Sequence, residues 1–579
     1  MKTKPPVLML AFASLFFAML LPPEAYPNGK LAVVLCATFA FVSALSERLI
    51  PQKYLNAGMW IFAVLLIHTF VVSVDLYRSL DMLASLWAYY CLIGFFMYAG
   101  AGYEKQLAVV MVALSLIVSG YGLYQYFWGF DKIHQLIFYA ASDQVVKAPA
   151  LDVVATRRVF STVALPGTLW GFLVCALPFH AMLWRGGTVR LSGGREGTQV
   201  PERCTELDRT VGPTLREWRR RFALDVVLVV SAGMLLATGF LTRSFGFLLG
   251  LFVLIVGAVW MRNRRMVWNR LTPVVVMLAI VAGFFYSARH GVIEGANPAG
   301  LRFLNWVTAW NIFAVHPLGA GLNTFGVVYP EYMQPSANET QYVHNTFLQL
   351  LSELGYPLIV TVIVIVIAKA NSLKNVVQSN RRETFWLILA VSVWVTHNMV
   401  DIDVYFPSVG VVGAVLIGVL LAREHGEFPP LSKLSVAIVG VFAAVVVVFS
   451  GAACISTELQ HRAQIEYENK KLTTAAETLS TARRICPINS SIDHDAGEIL
   501  LALYQTTREP HYLDQAAEAF RTAVRLSPEK AGSHIGYSLS LSAAGRISEA
   551  MDEIRIAQTL YPSSSYVQAI ARLIGQRLQ

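Results

Sequence analysis

The run YVHNTFLQLLSELGYP (342–357) puts a histidine and an asparagine where a polar stretch turns into one of the most apolar segments of the chain. A core histidine would sit inside a periodic segment, and a ligand histidine would usually have a second His, Cys or carboxylate within one helical turn. His344 has neither context. A neutral imidazole, with an ordinary pKa of about 6.5, suits proton abstraction from a hydroxyl near neutral pH.

Three further features carry polar groups in apolar surroundings. From Ala223 to Met261 the charges are Asp225, near the start, and Arg243 in LATGFLTRSFGFLLG. The run is about 58 Å long at helical rise, enough for two membrane crossings, so Arg243 should lie at or near a tight turn between them. An arginine there is costly unless paired or functional; it either serves chemistry or snorkels to headgroups. In GLRFLNWVTAWNIFAVHP, Trp306, Trp310 and Phe313 recur at helical spacing one turn after Arg302, which reads as an amphipathic helix at the membrane surface. The PLGAGLNTFG that follows is a glycine-rich turn, able to bring backbone close to a ligand or serving only to reverse the chain. In HNMVDIDVYFP, His397 and Asp401 are four residues apart and can meet on one helix face.

These groups must be positioned by membrane helices. The 579 residues are 55% hydrophobic and only 14% charged, too apolar for a soluble protein of this size. Thirteen apolar runs read as spans: 7–21, 31–46, 58–74, 79–99, 106–127, 162–184, 223–240, 244–261, 271–288, 346–368, 385–400, 406–422 and 434–453. The first follows Lys2 and Lys4 like a signal peptide, but no small-x-small cleavage site follows near LLPPEAYP. The six cysteines form no C-x-x-C or Cys/His cluster, and a Cys454–Cys486 disulfide is one option.

Starting inside, alternate loops carry 24 basic residues and the opposite loops nine, although the latter include the longest, 289–345. The positive-inside rule puts that loop, with His344, on the outer face. The arginine-rich insert 185–222 also holds five acidic residues and much Gly, Ser and Thr. It is expected to be a disordered cytoplasmic loop touching anionic headgroups, and no nucleic-acid partner is implied. Asp401-Ile402-Asp403 has the D-x-D form of metal-binding nucleotide-sugar transferases, but those donors are cytosolic and this turn faces out. A carboxylate that orients an arginine or histidine is the preferred reading, and no metal or cofactor is expected.

After 454 the composition turns polar and helix-forming. LTTAAETLSTARRICP (from 472), LDQAAEAFRTAVRLSP (from 513) and ISEAMDEIRIAQTLYP (from 547) align without gaps, with Ala at the fourth and eleventh positions, a large apolar residue at the eighth and Pro at the end. The small-large-small pattern and the 34-residue spacing of the last two look like tetratricopeptide repeats. The expected fold class is all-α: a polytopic helix bundle of about 13 spans with a large outer loop, then a soluble tetratricopeptide-like array. The expected domains are N-terminal transmembrane helices (1–160), a membrane core (161–453) containing the outer loop 289–345 and the insert 185–222, and a periplasmic repeat domain (454–579).

Taken together, TRSFG at a short outer turn, R-x-x-x-W followed by AVHPLGAGLNTF in a large outer loop, and HNTFLQLLSELG running into the next span resemble the O-antigen ligase and polymerase superfamily of bacterial membrane glycosyltransferases. The resemblance covers roughly 160–422; TRS stands where the family usually shows Ser-Arg-Gly. It implies an inner-membrane enzyme that transfers a glycan from a polyprenyl-pyrophosphate donor, such as undecaprenyl pyrophosphate, to a lipid, glycan or protein acceptor. Guanidinium groups suit the pyrophosphate left behind, so Arg243 and Arg302, with Arg289 third, are the donor-binding candidates. His344 is the candidate general base; Asn345, His397 and Asp401 are supporting residues, and Glu353 reads as structural. No close acidic pair suggests a double displacement, so a single inverting displacement is expected.

Ligase, polymerase and protein O-oligosaccharyltransferase remain open alternatives, and the repeat array implies a protein or glycan partner. A lipid-glycan transporter or an assembly scaffold is the reading from outside enzymology. A scaffold would tolerate loss of His344.

Overall fold

The computed structural model describes residues 5–23, 26–100, 102–131, 157–163, 165–184, 215–262, 298–363, 382–422 and 428–578. Every regular element among them is helical. The first eight helices are α1 (Pro5–Leu20), α2 (Pro27–Ser46), α3 (Gln52–Val72), α4 (Leu76–Ala99), α5 (Glu104–Tyr124, continuing into a π-turn over Gln125–Gly129), α6 (Pro166–Leu183), α7 (Leu215–Leu241) and α8 (Phe245–Arg262). Then come α9 (Pro298–Val315), α10 (Phe325–Tyr332), α11 (Thr346–Leu354), α12 (Arg382–His397), α13 (Pro407–Leu420) and α14 (Lys433–Glu468). The chain ends in α15 (Leu472–Ile485), α16 (Ser490–Thr507), α17 (Pro510–Leu526), α18 (Ala531–Ala543), α19 (Ile547–Leu560) and α20 (Ser565–Leu578).

Eleven of the thirteen apolar runs coincide with described helices; the run 271–288 lies outside the described residues, and 346–368 is described only as far as residue 363. Among the described residues seven helices are long and apolar enough to cross a membrane, while α1 and α13 are apolar but shorter. The protein is an all-α, multi-pass helix bundle. The expected straight span 346–368 is instead broken: α11 and the helix Tyr356–Ile363 meet at 118°. Gly355 makes the corner at φ +60°, and a Cβ there would lie 2.2 Å from the Pro317 carbonyl oxygen. Pro357 just beyond has no N–H with which to continue the helix.

Two groups of helices build the membrane core. Helix α4 is largely buried and packs against α2, α3 and α13. Tyr54 and Tyr90 stack there at 4.7 Å, each hydroxyl donating to the other's backbone carbonyl. The second group wraps α6 with α5, α7, α8 and α12. Lipid offers little hydrophobic drive between helices, so close approach through small residues takes over: a Cβ on Gly239 would come within 1.9 Å of the Trp170 ring.

The 36-residue α14 runs through residue 454 without a break, so the last span and the first helix of the C-terminal array are one element. Beyond it, successive helices pack pairwise from α15 to α20. The small-large-small positions of the three aligned segments form the contact faces: Ala475, Leu479, Ala482, Ala516, Phe520, Ala523, Ala550, Ile554 and Ala557 are all at most 1% exposed. Each of α15, α17 and α19 stops two residues before its proline. Cys454 and Cys486 are free thiols, and Cys454 donates to Asn28 Oδ1.

Candidate functional site

His344 precedes the N-cap of α11 with φ +56°, the left-handed region that costs a side chain of this kind energy unless its surroundings enforce it. Asn345 is the cap itself: its Oδ1 accepts from Leu348 N at 3.0 Å, and its Nδ2 donates to the Met399 carbonyl at 2.9 Å. Thr346 N bonds the carbonyls of Asn398 and Asp401, and its hydroxyl donates to Asn398 Oδ1 at 2.7 Å. Asn345 thus supports His344 through the backbone rather than through the imidazole. The head of α11 is zipped to the turn that follows α12.

That zipper delivers Asp401 to His344. Asp401 Oδ1 lies 3.5 Å from His344 Nδ1, and Oδ2 lies 4.0 Å from Arg302 Nη2 on the first turn of α9. The Asp401 side chain is 5% exposed, that of Arg302 17% and that of His344 28%. Gly167 on the first turn of α6 faces the same carboxylate so closely that a Cβ would meet Oδ2 at 2.3 Å. Burial pushes the Asp401 carboxyl up, but the close approach of His344 and the charge of Arg302 outweigh it and hold the group well below the usual carboxylate range. An ionised carboxylate on Nδ1 selects the tautomer with its lone pair on Nε2, and among the described residues none bonds Nε2. The arrangement can accept a proton at Nε2 and stabilise the imidazolium that results.

His397 does not pair with Asp401. Helix α12 ends at His397; Asp401 N still bonds the His397 carbonyl at 2.8 Å, but the Asp401 carboxylate faces His344 instead of the His397 ring. His397 Nδ1 instead bonds Asp403 Oδ2 at 2.7 Å, with both side chains fully buried and Asn398 Nδ2 on the same oxygen. Burial raises the Asp403 carboxyl above its ordinary range against the opposing pull of His397. The two aspartates of the D-x-D run therefore face different partners. Asp401 is shared by His344 and Arg302, and Asp403 locks the end of α12.

Glu353 is a structural clamp. Its carboxylate, with no exposed surface, accepts from Asn323 N, Phe325 N, Gln349 Nε2 and the Tyr405 hydroxyl. It ties the glycine-rich turn, the start of α10 and the turn after α12 to α11. The turn itself takes the positive φ angles that its glycines permit, +87° at Gly319 and +109° at Gly321. On α9, Trp310 is exposed whereas Phe313 is buried against the Tyr356 ring at 5.2 Å.

Arg243 occupies the three-residue break between α7 and α8, at φ +48° and exposed, as a tight turn requires. Among the described residues no ion pair joins it to the Asp401 group. Arg158 Nε donates to the Thr242 carbonyl of the same turn at 3.2 Å, a neighbour that the sequence pattern did not single out. Arg289 lies outside the described residues. Sequence reasoning met Asp403 only as part of the D-x-D run and missed Asn398, Thr346 and Gln349; an Asn-x-x-Asp-x-Asp run after a helix, facing an N-capped His-Asn, was the available signal.

Residues 226–363 match the family model described as O-antigen ligase. The chain therefore contains an O-antigen ligase domain over these residues. This family domain holds Arg243, Arg302 and His344, whereas Asp401, Asn398 and Asp403 come from beyond its end. No curated protein matches the chain. The O-antigen ligase domain in a multi-pass helix bundle supports a membrane enzyme of the ligase and polymerase type.

Proposed function

We propose that the enzyme attaches a glycan from a polyprenyl-pyrophosphate donor to an acceptor hydroxyl at the outer face of the bacterial inner membrane, with its tetratricopeptide-like array in the periplasm. The observation that carries this reading is one buried carboxylate, Asp401, facing both His344 and Arg302. The acceptor oxygen attacks the anomeric carbon while its proton passes to His344 Nε2. The bond from that carbon to the pyrophosphate oxygen breaks, the electron pair leaves with the pyrophosphate, and the configuration inverts. Asp401 holds the imidazole and balances its new charge.

Arg302 meets the negative charge that develops on the leaving group, and Arg243 is the second candidate for the lipid-borne pyrophosphate, with Arg289, outside the described residues, a third by sequence alone. The scheme calls for no metal because guanidinium groups neutralise the leaving group. The outward orientation is supported by the excess of basic residues in the alternate loops.

The test is glycan transfer in membranes carrying undecaprenyl-pyrophosphate glycan and the cellular acceptors, comparing wild type with His344→Ala at equal expression. The expected result is attachment of glycan to acceptor by wild type and none by the variant. A ladder of extended donor would identify a polymerase, and glycan on protein a protein transferase. Equal activity of the two proteins would remove His344 as the base.

A further inference from the structure

The loop that delivers His344 runs from the end of α10 to the cap of α11; the Tyr342 ring packs it on Tyr405 and Phe406, and four side-chain hydrogen bonds hold it. The Tyr329 hydroxyl donates to the Asn338 carbonyl at 3.1 Å, and Gln349 Oε1 accepts from Val343 N at 3.0 Å; both belong to the outer loop and α11 themselves. The third contact comes from the C-terminal array: the Tyr561 hydroxyl, at the end of α19, donates to the Glu339 carboxylate. The fourth is Arg78 Nη1, which donates to Gln341 Oε1 at 3.2 Å from the first turn of α4.

Arg78 also leads back to the array. Its backbone N–H is capped by Asp75 Oδ1 at 3.1 Å, and Asp75 Oδ2 accepts at 3.1 Å from the hydroxyl of Ser490, the first residue of α16. Asp75 and Ser490 are both buried. The same corner is stitched to the glycine-rich turn, because Val74 N bonds the Ala320 carbonyl and Ser79 Oγ donates to the Leu322 carbonyl. Helix α10 packs directly on α19. The array therefore grips the loop from two sides, once at Glu339 and once, through Asp75 and Arg78, at Gln341.

A histidine at φ +56° keeps that conformation only where its surroundings over-determine it. We propose that the C-terminal array is a positioning element of the transfer site: Tyr561 on Glu339 and Ser490 on Asp75 hold the loop that presents His344. This rests on His344 acting as the base. Tyr561, Ser490, Glu339 and Arg78 are positioning residues, distant in sequence from the residues that meet substrate. An acceptor or partner that engages the array is thereby coupled to the chemistry through these two grips.

The experiment compares full-length Tyr561→Phe, Ser490→Ala, their double variant, Glu339→Ala and Glu339→Gln in the same transfer assay, with hydrogen exchange of 338–343 measured in parallel. Misplacing a catalytic group by about 1 Å costs up to ~100-fold in rate, and loosening a loop held by other contacts costs less. The double variant should lose about fivefold in kcat with KM for donor within twofold, and exchange at 338–343 should quicken. Tyr561→Phe and Glu339→Ala should lose equally and not add, while Glu339→Gln, which keeps an acceptor for the tyrosine, should retain activity.

Unchanged exchange at 338–343, or a double variant within twofold of wild-type kcat, overturns the proposal. An effect confined to KM overturns it as well. If His344→Ala remains active, the base assignment fails separately, and the exchange data still report whether the array holds the loop.

Discussion

Replacing Asp401 with Asn removes one charge while keeping the shape and the hydrogen bond from Ile402 N at 3.0 Å. In the proposed scheme the carboxylate faces an imidazolium only once the acceptor proton has moved, so its attraction is a transition-state effect. Unit charges 3.5 Å apart attract by ~5 kcal/mol at an effective dielectric of about 20 and by ~1 kcal/mol in bulk water. With Asp401 nearly buried and the His344 side chain 28% exposed, the pair falls between these limits, at about 3 kcal/mol. That corresponds to a loss of roughly 100-fold in kcat.

Because Asp401 is held below the usual carboxylate range, it is ionised throughout any practical assay window, and the loss should persist from pH 6 to pH 9. The assay is single-turnover transfer in proteoliposomes loaded with polyprenyl-pyrophosphate glycan. Asp401→Asn should be about 100-fold slow, and adding it to His344→Ala should cost little more, since the carboxylate acts through the imidazole. An Asp401→Asn enzyme within threefold of wild type, or losses that multiply in the double variant, would refute the shared-carboxylate mechanism.

Two further outcomes follow from the fold. Gly355→Ala should lower the thermal midpoint of the detergent-solubilised protein and transfer activity together, because φ +60° disfavours a side chain and the new Cβ would press on the Pro317 carbonyl; an unchanged midpoint would mean that the 118° bend is not held there. In the array, burial raises the Asp493 carboxyl to about 6, with Arg483 and Arg525 opposing. The folded state therefore binds that proton more tightly than the unfolded chain, whose carboxyl titrates near 4. The stabilisation is complete below about pH 4 and lost as pH rises through about 6. Asp493→Asn should raise the array's melting temperature at pH 7.5 and change it little at pH 4, and the opposite pattern would exclude a raised Asp493.

Much of this protein is local, and local features are legible in order along the chain. Apolar runs of helix length became helices because each satisfies its own backbone hydrogen bonds. Arg243 fell at the break between α7 and α8 because an exposed charge and two crossings leave it nowhere else. The alanines, large apolar residues and prolines of the C-terminal segments marked buried faces and helix ends because spacing on a helix dictates which side chains share a face. His344 stood at the head of a helix for the same kind of reason: Asn345 is a capping residue before an apolar run.

What meets what was decided by tertiary structure. The four-residue spacing of His397 and Asp401 suggested a pair, but the helix stopped at His397, and Asp401 turned to His344 while Asp403 took the histidine. No periodicity carries that choice, since it depends on how the turn after α12 docks on the cap of α11. Likewise, the residues from 346 read as a straight span until the turn at Pro317–Gly319 came to rest against Gly355 and a bend resulted. The grip of Ser490 on Asp75 joins residues 415 apart in the chain. Propensity and pattern act over a few residues, whereas the partner of a buried charge is chosen by the folded chain as a whole, through the packing that removes water from around it.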